Sequence, residues 1–121
     1  MQKRILIVDD DLSICNSFSM LLRLEGYEVD GTIDSEEAAM LINKHQYNAC
    51  FFDYCTKGPN GLDFAKIMRN TNPQCAVFII SGMQGIDVLC AKQMEAGLLT
   101  GIFRKPFDIA EVLQNLTVVL A

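Results

Sequence analysis

Four short runs of apolar residues, at positions 5–8, 49–52, 76–80 and 101–103, recur between segments whose apolar residues return every three or four positions. Within the runs there is no polar alternation, so both faces of each strand must be buried. The first of these strands, Arg4–Val8, is followed by a helix that Asp11 or a neighbour caps. That helix reaches about Glu25 with Ile14, Phe18, Leu21 and Leu22 inward, and Gly26 ends it. Residues 27–31 read as a more polar edge strand, and 35–44 as a helix with Ala38, Leu41 and Ile42 inward. The run 49–52 ends at Asp53, after which Lys57-Gly58-Pro59-Asn60-Gly61 marks a loop. A helix over 62–69 and a turn containing Pro73 lead to the run 76–80, followed by Ser81 and Gly82. A weakly patterned helix over 85–95 precedes the run 101–103. Asp108 then caps a last helix with Ile109, Val112, Leu113, Leu116 and Leu120 on one face. Strands buried on both faces and alternating with helices define an α/β fold with a doubly wound parallel sheet. In such open sheets ligands bind at the carboxyl ends of the strands.

With 121 residues the expectation is a single domain over 1–121. The net charge of −5 makes the chain a poor partner for a phosphate backbone, so no direct nucleic-acid binding is expected. No stretch approaches the length of a membrane span, and only four apolar residues follow Lys3-Arg4, too few for an export signal. Five cysteines without a CxxC pair, and a single histidine, argue against zinc and against a disulfide framework. Most of the cysteines suit small buried hydrophobes in a reducing cytoplasm.

The polar residues that follow the buried strands are Asp9, Asp10 and Asp11, then Asp53, then Ser81, then Lys105. Parallel strands bring all these ends to one edge. The gaps of 43 residues from Asp10 to Asp53, then 28 and 24, suit two strand–helix–strand steps followed by single ones. Three carboxylates from two strands suit a hard divalent cation such as Mg²⁺. One of them can also act as a nucleophile. A cation and a lysine flanking the same point would stabilise the charge of a transferring phosphoryl group. Asp53 ends an apolar run, where an unpaired charge would be costly, which argues against unrelated loop acids. Asp11 is better read as a helix-start carboxylate favoured by the dipole.

The segments VDDD, FFDY, IISG and FRKPF, in this order and at these spacings, resemble the receiver domain of two-component response regulators over the whole chain; the chemotaxis response regulator is its simplest member. That resemblance implies a flavodoxin-like, five-stranded sheet in the order 2-1-3-4-5. It implies that Asp53 is the phosphoacceptor for a sensor histidine kinase or phosphotransfer protein, with Lys105 and Ser81 on the phosphoryl oxygens. Asp9, Asp10, Asp53 and the backbone carbonyl of Cys55 would hold Mg²⁺. The Lys105–Pro106 peptide would be a candidate for the cis form. Phosphorylation would move Ser81 and bias the surface of the fourth helix, fifth strand and fifth helix. An output domain, partner protein or second copy could dock there. The chain would then be a cytoplasmic binding module and not an enzyme on outside substrates.

Two departures stand out. After the acceptor the family usually reads x-x-Met-Pro, but here the residues are Tyr54-Cys55-Thr56-Lys57, which predicts a looser loop with an added cation. The family's rotating switch aromatic falls at Ile102. Phe103, one residue later, should face the other side of the sheet. Two rival readings follow: a receiver-like docking adaptor that is never phosphorylated, and a phosphohydrolase of the haloacid-dehalogenase type. The latter normally needs a second Asp where Cys55 stands.

Overall fold

The computed structural model describes residues 2–56 and 58–121. Its sheet contains β1 (Arg4–Val8), β2 (Glu28–Thr32), β3 (Ala49–Asp53), β4 (Ala76–Ser81) and β5 (Gly101–Arg104), all parallel and in the order β2-β1-β3-β4-β5. Helices α1 (Leu12–Leu24), α2 (Ser35–Lys44), α3 (Gly61–Thr71), α4 (Ile86–Leu89), α5 (Ala91–Glu95) and α6 (Ile109–Val119) connect and follow the strands. The expected doubly wound architecture is present, with the polar strand β2 at one edge.

Side-chain parity along the strands builds two cores. Ile5, Ile7, Phe51, Phe78, Ile80 and Phe103 point to one face, where Cys15, Phe18 and Leu22 of α1 and Val112 and Leu116 of α6 cover them. Leu6, Val8, Cys50, Phe52, Val77 and Ile79 point to the other, under α2, α3 and α4. Phe51 stacks on Phe78 at 4.9 Å, and Phe18 meets Phe51 edge-on at the same separation. Each buried phenylalanine contributes about 1.5–3 kcal/mol by leaving water. This two-sided burial keeps the central strands in a single register, because a slip of one residue would exchange the two faces.

Three expectations need correction. The stripe that α1 buries is Cys15, Phe18, Ser19 and Leu22; Ile14 is half-buried and Leu21 is 40 % exposed. The helix expected over 85–95 breaks into α4 and α5 at Cys90, whose φ of −104° and ψ of 8° leave the helical region. The last helix is therefore α6, not a fifth. Element ends also differ slightly: β3, β4 and β5 each run one residue further than expected, β2 is shifted one residue along, and α3 spans Gly61–Thr71 where 62–69 was expected. Among the described residues, no helix is long and apolar enough to cross a membrane.

Candidate functional site

Strand register sets the site. Val8 pairs with Phe52, Asp53 with Ile80, and Ser81 with Arg104, so β1, β3, β4 and β5 end at neighbouring levels. Asp9 and Asp10 leave β1 at that edge, Asp53 and Ser81 are the last residues of β3 and β4, and Lys105 follows β5. Two backbone bonds tie the strand ends together: Tyr54 N–H donates to the Ile80 carbonyl at 3.0 Å, and Lys105 N–H to the Ser81 carbonyl at 2.8 Å.

One oxygen from each of Asp9, Asp10 and Asp53 can be chosen so that all lie within 4.8 Å of one another. Asp9 is fully buried and Asp53 is 6 % exposed, whereas Asp10 is open to solvent. The Lys105 ammonium reaches Asp9 Oδ2 at 2.7 Å and Asp53 Oδ2 at 3.1 Å. Apart from its ion pair with Lys105, Asp9 Oδ2 has no partner among the described residues. Burial pushes the Asp9 carboxyl above its usual range; the Lys105 ammonium and the Asp11 N–H oppose that rise, and the Asp53 charge adds to it. Burial pulls the Lys105 ammonium down, but its pairs with Asp9 and then Asp53 outweigh this, and its pKa ends above the ordinary lysine value.

Backbone groups complete the frame. Asp11 N–H donates to Asp9 Oδ1 at 2.9 Å, and Cys55 N–H to Asp53 Oδ1 at 3.2 Å. Met83 N–H donates to Ser81 Oγ at 3.0 Å, which holds the hydroxyl at the strand end with its own proton free. Ser81 is buried and Lys105 half-buried. The Lys105–Pro106 peptide is cis. Asp11 accepts from Ile14 N–H as the N-cap of α1, in keeping with a helix-start acid.

Asp9, Asp10, Asp53, Ser81 and Lys105 thus meet at one edge, and Cys55 lies beside Asp53. The hydrogen-bonding backbone groups of Asp11, Cys55 and Met83 leave no trace in the side-chain pattern of the sequence. In the loop after β3, the Thr56 hydroxyl donates to the Pro59 carbonyl. The cation expected from Lys57 lies outside the described residues. Ile102 packs against the α2/α3/α4 core and Phe103 against the α1/α6 core, opposite faces as expected.

The donor set suits a hard cation. It offers carboxylate oxygens, one of them buried and short of partners, with no soft side-chain ligand required. Burial of two carboxylates beside a third is otherwise electrostatically costly, and the single Lys105 charge offsets only part of it.

This fold with such a site defines a class of phosphoacceptor modules. The family model for the response regulator receiver domain matches residues 5–117, and the chain belongs to that family. It is 33 % identical over 79 % of its length to the alginate biosynthesis transcriptional regulatory protein AlgB of Pseudomonas aeruginosa, of which it covers 21 %. It is 29 % identical over 93 % of its length to sporulation initiation phosphotransferase F of Bacillus subtilis, covering 89 % of that protein. The chain therefore spans about one fifth of the AlgB relatives but most of the phosphotransferase. A CheY-like response regulator receiver domain protein from Methanospirillum hungatei superposes with a TM-score of 0.87 at 25 % identity, over 98 % of this chain and 93 % of the other.

Proposed function

We propose that Asp53 is the phosphoacceptor of a two-component signalling switch, loaded by a sensor histidine kinase or phosphotransfer protein. The observation that carries this reading is the Lys105 ammonium, held between Asp9 and Asp53 inside the three-carboxylate cluster. An oxygen of Asp53 forms a bond to phosphorus as the bond to the donor's leaving group breaks. Cys55 N–H holds one Asp53 oxygen, and Lys105 is within reach of the charge that the incoming phosphoryl oxygens bring. Ser81, whose oxygen already accepts from Met83 N–H, can give its own proton to one of those oxygens. Asp9, Asp10, Asp53 and the Cys55 carbonyl are the groups that would hold Mg²⁺, which when bound neutralises charge on the transferring group.

The unit that does this is taken to be the receiver domain over residues 1–121. It acts as a binding module: phosphorylation shifts Ser81 and the loop after β4, and biases the surface of α4, α5, β5 and α6 toward a partner or second copy. Intact-mass measurement after incubation with acetyl phosphate and Mg²⁺ tests the reading. One phosphoryl group should appear on the wild type and none on Asp53→Asn. A wild type that stays unmodified would favour the docking adaptor, whereas turnover of a generic phosphate ester would favour the phosphohydrolase.

A further inference from the structure

Strand β2 ends one side of the sheet, and its outer edge is open. Glu28 N–H donates to the Lys3 carbonyl at 2.9 Å, and Asp9 N–H donates to the Thr32 carbonyl at 3.1 Å. In a parallel pair the two backbone groups of one residue point the same way and alternate along the strand. Glu28, Asp30 and Thr32 therefore face β1, while Val29 and Gly31 face outward. The Val29 carbonyl accepts from Arg23 Nη2 at 2.8 Å, which uses one of its two lone pairs. Among the described residues nothing caps the outward N–H and carbonyl of Gly31, and Gly31 is exposed. Unused pairing groups on an exposed edge are a template for another strand.

A cleft of about 360 Å³ lies along this edge, between Arg23, Gly31 and the α2 residues Glu37, Met40 and Lys44. Helix α2 returns antiparallel to β2, so Glu37 stands toward the carboxyl end of the strand and Lys44 toward its amino end. They are two turns apart, about 10 Å, with Met40 between them on the same face. Met40 is 71 % exposed, and neither Glu37 nor Lys44 forms an ion pair among the described residues. The face thus carries an anion, an apolar side chain and a cation in a row. A two-fold rotation turns that row into its own complement.

We propose that a second copy of this chain docks on the free edge of β2 and continues the sheet from one copy into the other. The pairing is antiparallel about a dyad at Asp30, with Val29 opposite Gly31 of the second copy and the reverse. Helix α2 then lies beside its counterpart. Glu37 meets Lys44 of the second copy, Lys44 meets its Glu37, and the two Met40 side chains meet at the dyad. The two Asp30 carboxylates that face each other there are already partnered, each by Arg4 Nη1 at 2.9 Å and by the Tyr47 hydroxyl at 2.7 Å. An extended peptide would satisfy the strand edge, but it gives no role to the matched Glu37 and Lys44. The contact lies at the opposite side of the sheet from β5 and needs no phosphoryl group on Asp53, so it goes beyond the function proposed above.

The test uses the unphosphorylated chain. Sedimentation equilibrium at rising concentration should show a monomer–dimer equilibrium, and exchange of the Gly31 amide, followed by NMR, should slow about fivefold or more as the dimer fills. Glu37→Lys and Lys44→Glu each set like charges against one another at both ends of the contact, and each should raise the dissociation constant about tenfold or more. An equal mixture of the two variants restores opposite charges at both ends and should dimerise again, which also shows that both variants are folded. A dimer that ignores both reversals, a mixture that stays monomeric, or a dimer in which Gly31 exchange is unchanged would overturn the proposal. So would a wild type that is monomeric throughout, which would leave the edge to an extended peptide from another protein.

Discussion

At the scale of single residues, Asp9 shows what the site costs the fold. Its carboxyl is held above the ordinary range mainly by burial. A carboxylic acid with a raised pKa in the folded state stabilises the fold most when pH is below its ordinary value. That contribution is lost as pH climbs through the raised value. At neutral pH the ionised Asp9 is thus a burden that a cation relieves. Without metal, Asp9→Asn should melt a few degrees higher than the wild type, and the difference should shrink as pH falls and Asp9 takes up its proton. Millimolar Mg²⁺ should raise the melting temperature of the wild type and much less that of the variant. Thermal melts in chelator and in Mg²⁺ at two pH values check both statements. A wild type indifferent to Mg²⁺ would contradict them. Lys105 has the same sign in a higher window: its raised pKa means that its stabilisation is full below the ordinary lysine value and is lost only as pH rises through the raised one, so it is intact at neutral pH.

Among the elements, α3 shows how closely the acceptor loop is packed. Asn60 and Asp63 form a reciprocal capping box, each side chain accepting the other's N–H at 3.0 Å. The first helical residue, Gly61, lies against the end of β3. A Cβ there would sit 2.9 Å from the Asp53 carbonyl oxygen and 2.9 Å from Ile79 Cδ1. Gly61→Ala should therefore cost about 1–3 kcal/mol in denaturant unfolding and reduce phosphoryl uptake, because relief of the clash displaces Asp53. Unchanged stability would show that the loop yields freely. The same closeness explains what the sequence concealed. Ile14 and Leu21 look like core residues by size, but α1 turns its small Cys15 and Ser19 to the sheet. At Gly31 of β2, a Cβ would come within 2.5 Å of Ser19 Oγ. Hydropathy rewards bulk, and that helix face needed its absence. The strands β1, β3 and β4 were legible because both faces are buried, which few other elements imitate. The break at Cys90 was not legible, because α4 buries only Ile86 and α5 buries none of its residues. Without an apolar stripe there is no periodicity to read. In the site, charged side chains announced themselves, while the N–H groups of Asp11, Cys55 and Met83 depend on loop geometry.

For the molecule as a whole, the site is a junction of four strand ends and not a pocket on one loop. Lys105 joins β5 to Asp9 and Asp53, and its backbone N–H joins β5 to Ser81 of β4. A phosphoryl group on Asp53 would compete for the Lys105 ammonium and draw Ser81 inward, so the strain falls on the β4–α4 loop and on β5. Ile102 lacks the ring that the family rotates at this position. It packs against the α2/α3/α4 core, while Phe103 is locked in the opposite one against Phe78 at 5.4 Å. On the proposed function, transmission would run through the backbone of the two loops and not through a rotating aromatic. Hydrogen exchange with and without beryllofluoride and Mg²⁺ reads this directly. Slowed exchange is expected at residues 82–85 and 102–108, with β2 and α2 unaffected, since those elements share no side chain or backbone bond with Lys105 or Ser81 among the described residues. Replacing Ile102 with Tyr should leave phosphoryl uptake intact. Slowing confined to Asp53 and its immediate neighbours would mean that the junction does not carry the signal outward.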